Sequence, residues 1–393
     1  MTAADTDEPR RLRIAVLNRQ FSVTGGGAER YSIALVEQLA ARHEIHIFAQ
    51  HISHAWPGVT YHKVSQALTR PRWLNQLWYA TATWWVTRTG FDVVHSHENT
   101  WHGQVQTVHV LPVKYNLLHS LSGWRRALRW LRIASSPRLL VYLALERSRF
   151  SWRGPRAIVV TSNTLLPQML EAYPACASAI QVVTPGVDQV RGVATTLEKV
   201  EARRKLGLPE IGFCILFVGN DYRKKGLATL IQALKQLPEQ CYVAVVGNPA
   251  QIPKFKTQAK ATGLDQRVFF LGSLPDVSSA YQAADCLAHP TQEDTFAMVV
   301  LEAMAHGLPV VVSSQRYCGI AGLLTHEINA LLLDDPLDAL ALTTALERLV
   351  QEGALVDRLS SAALDFAQQH QWATLALQQE SIYRALTHRV EAA

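Results

Sequence analysis

Short apolar runs alternate along this chain with longer stretches whose apolar residues recur every three or four positions. LRIAVLN, Leu12–Asn18, reads as a strand; after a glycine-rich turn, AERYSIALVEQLAARH places Ile33, Leu35, Val36 and Leu39 at helical spacing. HEIHIFAQ is the following strand, so these elements form a βαβ unit of a parallel sheet. FDVVHSH, QVQTVHV and RAIVVTS supply further short β-rich runs.

The pattern restarts after Pro185. Residues 187–204 lose their apolar periodicity and read as a polar linker. CILFVGN, a basic turn, LATLIQALKQL and CYVAVVGN then repeat strand, turn, helix and strand, and RVFFLGS, CLAHP and LPVVVSS add three strands. The expected fold is α/β, with two doubly wound halves at 1–186 and 187–370. Ligands of such sheets bind beyond the C-terminal strand ends, so the chemistry is expected in those loops.

Composition narrows the picture. A chain of 393 residues exceeds one average core, and 48% hydrophobic residues suit a globular protein. Its apolar runs stop well short of a membrane span, the polar start MTAADTDEPRR is expected to carry no leader, and residues 1–10 are expected to be a loose tail. Cys176, Cys214, Cys241, Cys286 and Cys318 form no CxxC, which fits reduced thiols of a cytoplasmic core. A net charge of +6 favours anionic partners. No nucleic-acid-binding motif is present, so nucleic acid is not an expected partner.

TGGGAER departs from a dinucleotide fingerprint: Arg30 stands where the third glycine belongs, and the second strand ends in Phe48-Ala49-Gln50 without an acid. NAD is therefore not expected. Gly26 and Gly27 still allow close backbone approach to an anion at a helix start, although a tight turn alone would also explain them. VGNDYRKKG places Arg223, Lys224 and Lys225 between a strand end and a helix. Three cations there can neutralise a diphosphate without a metal, and no DxD-type cluster appears for Mg²⁺; a solvated basic face is the other reading.

EDTFAMVVLEAMAHG, residues 293–307, holds Glu293 and Asp294 before a helix and Glu302 about two turns inside it. The N–H groups of Phe296, Ala297, Met298 and Val299 are expected to be free for a ligand. The alternative makes Asp294 an N-cap and Glu302 a surface residue.

GGGAERY (25–31), DVVHSH (92–97), TVH (107–109), TPGVD (184–188), VGNDYRKKG (218–226), FLGSLPD (270–276) and HPTQEDTFAMVVLEAMAHGLPVV (289–311) occur in one order across nearly the whole chain. This ordered set resembles the retaining family 4 glycosyltransferases of GT-B fold. Within them, the second half is most similar to the lipopolysaccharide-core glucosyltransferases acting on heptose. The resemblance implies two Rossmann-like domains facing a cleft, an acceptor domain at 1–186 completed by 371–393 and a donor domain at 187–370. It implies hexose transfer from a nucleotide-diphosphate sugar, a UDP-hexose, to a lipid-linked glycan, with no metal or other cofactor. His109 and Asp294 become catalytic, His109 as a neutral ring near the donor sugar. Gly26, Gly27, Arg223, Lys224, Lys225, Phe296, Ala297, Met298, Val299 and Glu302 become donor-binding, Glu302 on the ribose. The backbone near Ser273 and Leu274 would meet the base, and His97 and Glu98 the acceptor. Two residues depart from the family pattern: Asp294 replaces a Glu, and Ala297 replaces a Gly and narrows the sugar space. A capsule or exopolysaccharide glycosyltransferase, an epimerase, a phosphorylase and a non-catalytic nucleotide- or glycan-binding protein are the alternatives.

Residues 114–153 carry nine Lys or Arg and one acid, Glu146. Trp124, Leu128, Trp130, Leu131 and Ile133 give an apolar side, and Arg125, Arg126, Arg129 and Arg132 a basic one. This suits an interfacial helix on the anionic inner face of the cytoplasmic membrane, or a core helix with a basic solvent face.

Overall fold

The computed structural model describes residues 10–22, 27–66, 68, 70–119, 121–151 and 154–391. Two compact units emerge: Met1–Thr161, Leu165–Val183 and Trp372–Ala393 form the first, and Ser162–Thr164 with Thr184–Gln371 the second.

The first unit is built on a seven-stranded sheet. Its strands are β1 (Arg13–Leu17), β2 (Glu44–Ala49), β3 (Val59–Lys63), β4 (Val93–Ser96), β5 (Val105–Val108), β6 (Ala157–Val160) and β7 (Ile180–Val182). They are all parallel, in the order β3-β2-β1-β4-β5-β6-β7. The chain runs outward from β1 to β3 and then returns to β4, so the loops after β1 and β4 open a crevice at the switch. All four residues of β4, β5 and β6 are buried, which is why these strands read as continuous runs.

The second unit repeats the plan with β8 (Phe213–Gly219), β9 (Cys241–Gly247), β10 (Val268–Gly272), β11 (Cys286–His289), β12 (Val310–Ser313) and β13 (Leu331–Leu333). Their order is β10-β9-β8-β11-β12-β13, again parallel, with the switch between β8 and β11.

The helices used below are, in the first unit, α1 (Gly27–Leu39), α2 (Arg72–Thr87), α3 (Val113–Leu118), α4 (Gly123–Ala134) and α5 (Pro137–Ser151). The second unit contributes α6 (Thr196–Lys205), α7 (Leu227–Leu234), α8 (Ser278–Ala283) and α9 (Met298–Ala305); α10 (Trp372–Glu391) returns to the first unit and packs on α1.

α6 corrects the linker reading of 187–204. Its sequence, TLEKVEARRK, has no apolar stripe, yet Thr195 and Glu198 close a capping box around its start. Arg203, 4% exposed, fastens it by donating to Ala283 O at 2.9 Å and Asp285 Oδ2 at 2.7 Å. All five cysteines are buried and free.

Candidate functional site

In the second unit, the adjacency of β8 and β11 brings the basic turn against the acid-bearing loop. Lys225 Nζ donates to Asp294 Oδ2 at 2.5 Å and to Glu293 O at 3.1 Å, and Lys224 Nζ to Glu293 Oε2 at 2.8 Å. Gly226 makes the approach possible: its φ is +81°, and a Cβ there would sit 1.9 Å from Pro290 O. His289, fully buried at the end of β11, lies with Nε2 3.1 Å from Asp294 Oδ2. Burial works to raise the Asp294 carboxyl, but the His289 hydrogen bond and the Lys225 charge outweigh it and hold the group below the ordinary aspartate value. Burial holds His289 below its ordinary value, against the pull of Asp294.

The other Asp294 oxygen, Oδ1, accepts from Ala297 N at 2.9 Å and Phe296 N at 3.4 Å. Those two N–H groups are therefore engaged rather than free, which corrects the expectation for Phe296 and Ala297. Asp294 caps the turn that leads into α9, while the residue at the helix N-cap is Ala297, with no side-chain cap bond. Ala297 adopts φ +71°, the left-handed region where a glycine fits without strain. Its methyl is buried in the core, and the left-handed backbone there carries strain. Met298 and Val299 begin α9, and Glu302 stands one turn inside it rather than two, accepting from Tyr281 OH at 2.7 Å. Arg223 is exposed on the basic turn. Ser273 Oγ donates to Gly247 O at 3.2 Å, and Leu274 packs against the core at the end of β10.

In the first unit, Gly26 lies outside the described residues, and Gly27 opens α1. Glu98, expected at the acceptor, is held by Arg19: its oxygens accept from Arg19 N at 3.1 Å and Nε at 2.9 Å. His97 Nδ1 lies 3.0 Å from His109 Nε2, and the two rings stack with Tyr31 edge-on to His109. His97 Nε2 is buried with no partner among the described residues.

Two buried charges on α5, neither expected at a functional site from the sequence, clamp the chain on both sides of His109. Arg149 donates to Gln106 Oε1 at 2.8 Å and Thr107 O at 2.5 Å. Glu146 accepts from Val113 N at 2.6 Å, Lys114 N at 2.9 Å and Tyr173 OH at 2.8 Å. Burial, aided by the Arg149 charge, pushes His109 down to about 3, so its ring is neutral at neutral pH. His95 behind it, bonded to Tyr383 OH and Thr107 Oγ1 at 2.6 Å each, is likewise pushed down to about 3 by burial. His289 was also missed; its one sequence signal is a position at a strand end, shared with His109.

Two doubly wound units, each with its crevice at a strand-order switch, define a protein of GT-B type. Residues 25–191 match the model of Glycosyltransferase Family 4, and residues 198–366 that of Glycosyl transferases group 1. Between them the models span most of the chain, and the chain belongs to the family 4-type glycosyltransferases of GT-B fold. D-inositol 3-phosphate glycosyltransferase of Corynebacterium aurimucosum is 32% identical over 244 residues, covering 58% of this chain and 56% of that protein. The chain thus spans about half the length of the curated relatives it matches. Among solved structures, WaaG, a glycosyltransferase involved in lipopolysaccharide biosynthesis, superposes with TM-score 0.79 at 22% identity, over 94% of this chain and 99% of that one. Anabaena Alr3699/HepE in complex with UDP-glucose superposes with TM-score 0.70 at 19% identity, over 96% and 100%.

Proposed function

We propose that this chain transfers a hexose from a UDP-sugar, with retained anomeric configuration and without a metal ion, to a lipid-linked glycan of the lipopolysaccharide-core type. The observation that carries the reading is the Lys225–Asp294–His289 cluster beside the start of α9, which has no side-chain cap. An ammonium has three N–H donors, and Lys225 uses two on Asp294 and Glu293, so the third can meet a phosphate oxygen. Lys224, Arg223 and the first N–H groups of α9, on Met298 and Val299, add positive potential for a leaving diphosphate. Glu302 accepts from the ribose hydroxyls, and the backbone at Ser273 and Leu274 meets the base.

Asp294 acts as the anchor that fixes Lys225 and the Ala297 turn, close to the donor hexose. The neutral His109 ring accepts or donates a hydrogen bond at the sugar, and the leaving diphosphate takes the acceptor proton on the same face. His97 and Glu98 shape the acceptor side through His109 and Arg19. The UDP-glucose complex of the Anabaena protein supports the choice of donor.

No described helix is long and apolar enough to cross a membrane. α4 buries only Ile133 and leaves Trp124 and Leu131 more than 60% exposed, which supports the interfacial reading of 114–153 at the cytoplasmic face over the core reading. A second acceptor reading, an inositol phosphate, is favoured by the name of the Corynebacterium relative. The test is turnover of UDP-hexoses in EDTA, with proton NMR of the anomer formed on a lipid-linked core acceptor and on inositol phosphate. An α-linked product on the core acceptor supports the proposal, product on inositol phosphate alone moves the acceptor, and a β-linked product rejects retention.

A further inference from the structure

α2 is built inside out. Its buried side carries Asn75, Gln76, Tyr79, Ala80, Thr83 and Thr87. The polar groups among them are bonded inward. The Asn75 and Gln50 amides exchange bonds at 2.8 and 2.9 Å, Gln76 Nε2 donates to Asn99 O at 2.8 Å, and Tyr79 OH to Phe48 O at 2.7 Å. The outward side carries Trp78, Trp84 and Trp85, between 38% and 60% exposed. Trp78, Thr81, Trp85 and Arg88 follow at three- and four-residue spacing and so line one side. A helix facing water shows the opposite pattern.

Charge says what covers this face. Residues 45–91 contain no Asp or Glu, but hold Lys63, Arg70, Arg72 and Arg88. The Arg88 guanidinium stacks 4.0 Å over the Trp85 ring, so cation and indole are presented together. Indoles with an apolar body and a polar edge favour the boundary between headgroups and acyl chains, and clustered cations favour anionic lipid. Beside α2, an open cavity of about 520 Å³ lined by Lys63, Ser65, Ala82 and Val86 is of a size that holds small ligands. α2 and α4 both pack against α5.

We propose that the Trp78–Trp84–Trp85 face of α2 docks on an anionic lipid surface, as a contact separate from α4. This extends the reading of a membrane-borne acceptor and rests on it. The five natural cysteines are buried, so a thiol introduced at exposed Thr81, between Trp78 and Trp85 on the same stripe, can carry an environment-sensitive fluorophore cleanly, and one at Leu128 reports α4 in parallel. Phosphatidylcholine vesicles with and without phosphatidylglycerol are the probes. A blue shift at T81C on phosphatidylglycerol vesicles only, with binding weakened about tenfold by Trp84→Ser plus Trp85→Ser, is expected. A shift at L128C with none at T81C overturns the proposal and leaves the α4 reading standing. A shift at T81C alone supports it and removes α4, and silence at both positions overturns both. Concentration-dependent dimers that Trp84→Ser dissolves, without lipid binding, would assign the face to a second copy and also overturn it.

Discussion

Lys225 Nζ and Asp294 Oδ2 lie 2.5 Å apart, joining the basic turn after β8 to the loop that starts α9. The two side chains are 21% and 18% exposed, so removing either partner strands a largely desolvated charge. Lys225→Met should destabilise the second unit by about 2 kcal/mol, Asp294→Asn by less, and the double variant by less than the sum. Urea unfolding followed by far-UV circular dichroism measures this; all ten tryptophans belong to the first unit, so their emission would not see it. Strict additivity would mean the pair is not coupled.

Ala297 offers a test of opposite sign. Its φ of +71° costs a non-glycine residue roughly 1 kcal/mol, so Ala297→Gly should be neutral or stabilising by up to that amount. Ala297→Val should cost about 2 kcal/mol or more, because a β-branched residue resists the left-handed region and this site is buried. The melting temperature of Ala297→Gly should therefore stay level or rise while that of Ala297→Val falls, and a loss with glycine would show that the methyl packing outweighs the strain.

Both folds of strand and helix were legible because the strands are buried on both faces and spell unbroken apolar runs, as in β8 and β9. α6 was not, since its stability comes from a capping box and a buried arginine that leave no periodic trace. The site was legible in kind but not in wiring. Lys225 and Asp294 are 69 residues apart, and only the strand order places β8 beside β11. His289 is one of fifteen histidines, several of them equally buried, and its 3.1 Å approach to Asp294 sets it apart, which no short pattern encodes.

The α5 clamp gives a prediction about His109. Glu146→Gln and Arg149→Lys loosen the chain on either side of the ring without touching the second unit. kcat should fall on the order of tenfold while nucleotide affinity is unchanged. Arg149→Lys, which keeps the charge, should retain more activity than Arg149→Met. If His109→Ala abolishes transfer and the clamp variants do not lower kcat, positioning through α5 is wrong.

His95 sets an acid limit on the first unit. Its folded value of about 3 lies below the ordinary histidine value near 6.5, so between them the unfolded chain binds the extra proton. The stabilisation is fully present above about pH 6.5 and declines as pH falls, by about 1.4 kcal/mol per pH unit for this one group. Unfolding followed by tryptophan emission from pH 7 to 4.5 should show that slope reduced in His95→Asn. An unchanged slope would mean that His95 is not the group responsible.

The most direct test of the central claim is calorimetric titration of UDP, GDP and ADP in EDTA into wild type, Glu302→Ala and Lys225→Met. The account predicts that UDP binds best without a metal and that each substitution weakens it at least about tenfold, the loss of one hydrogen-bonded charge. Absence of binding by all three nucleotides, or UDP binding that neither substitution alters, would contradict a donor site built on Lys225, Asp294 and Glu302.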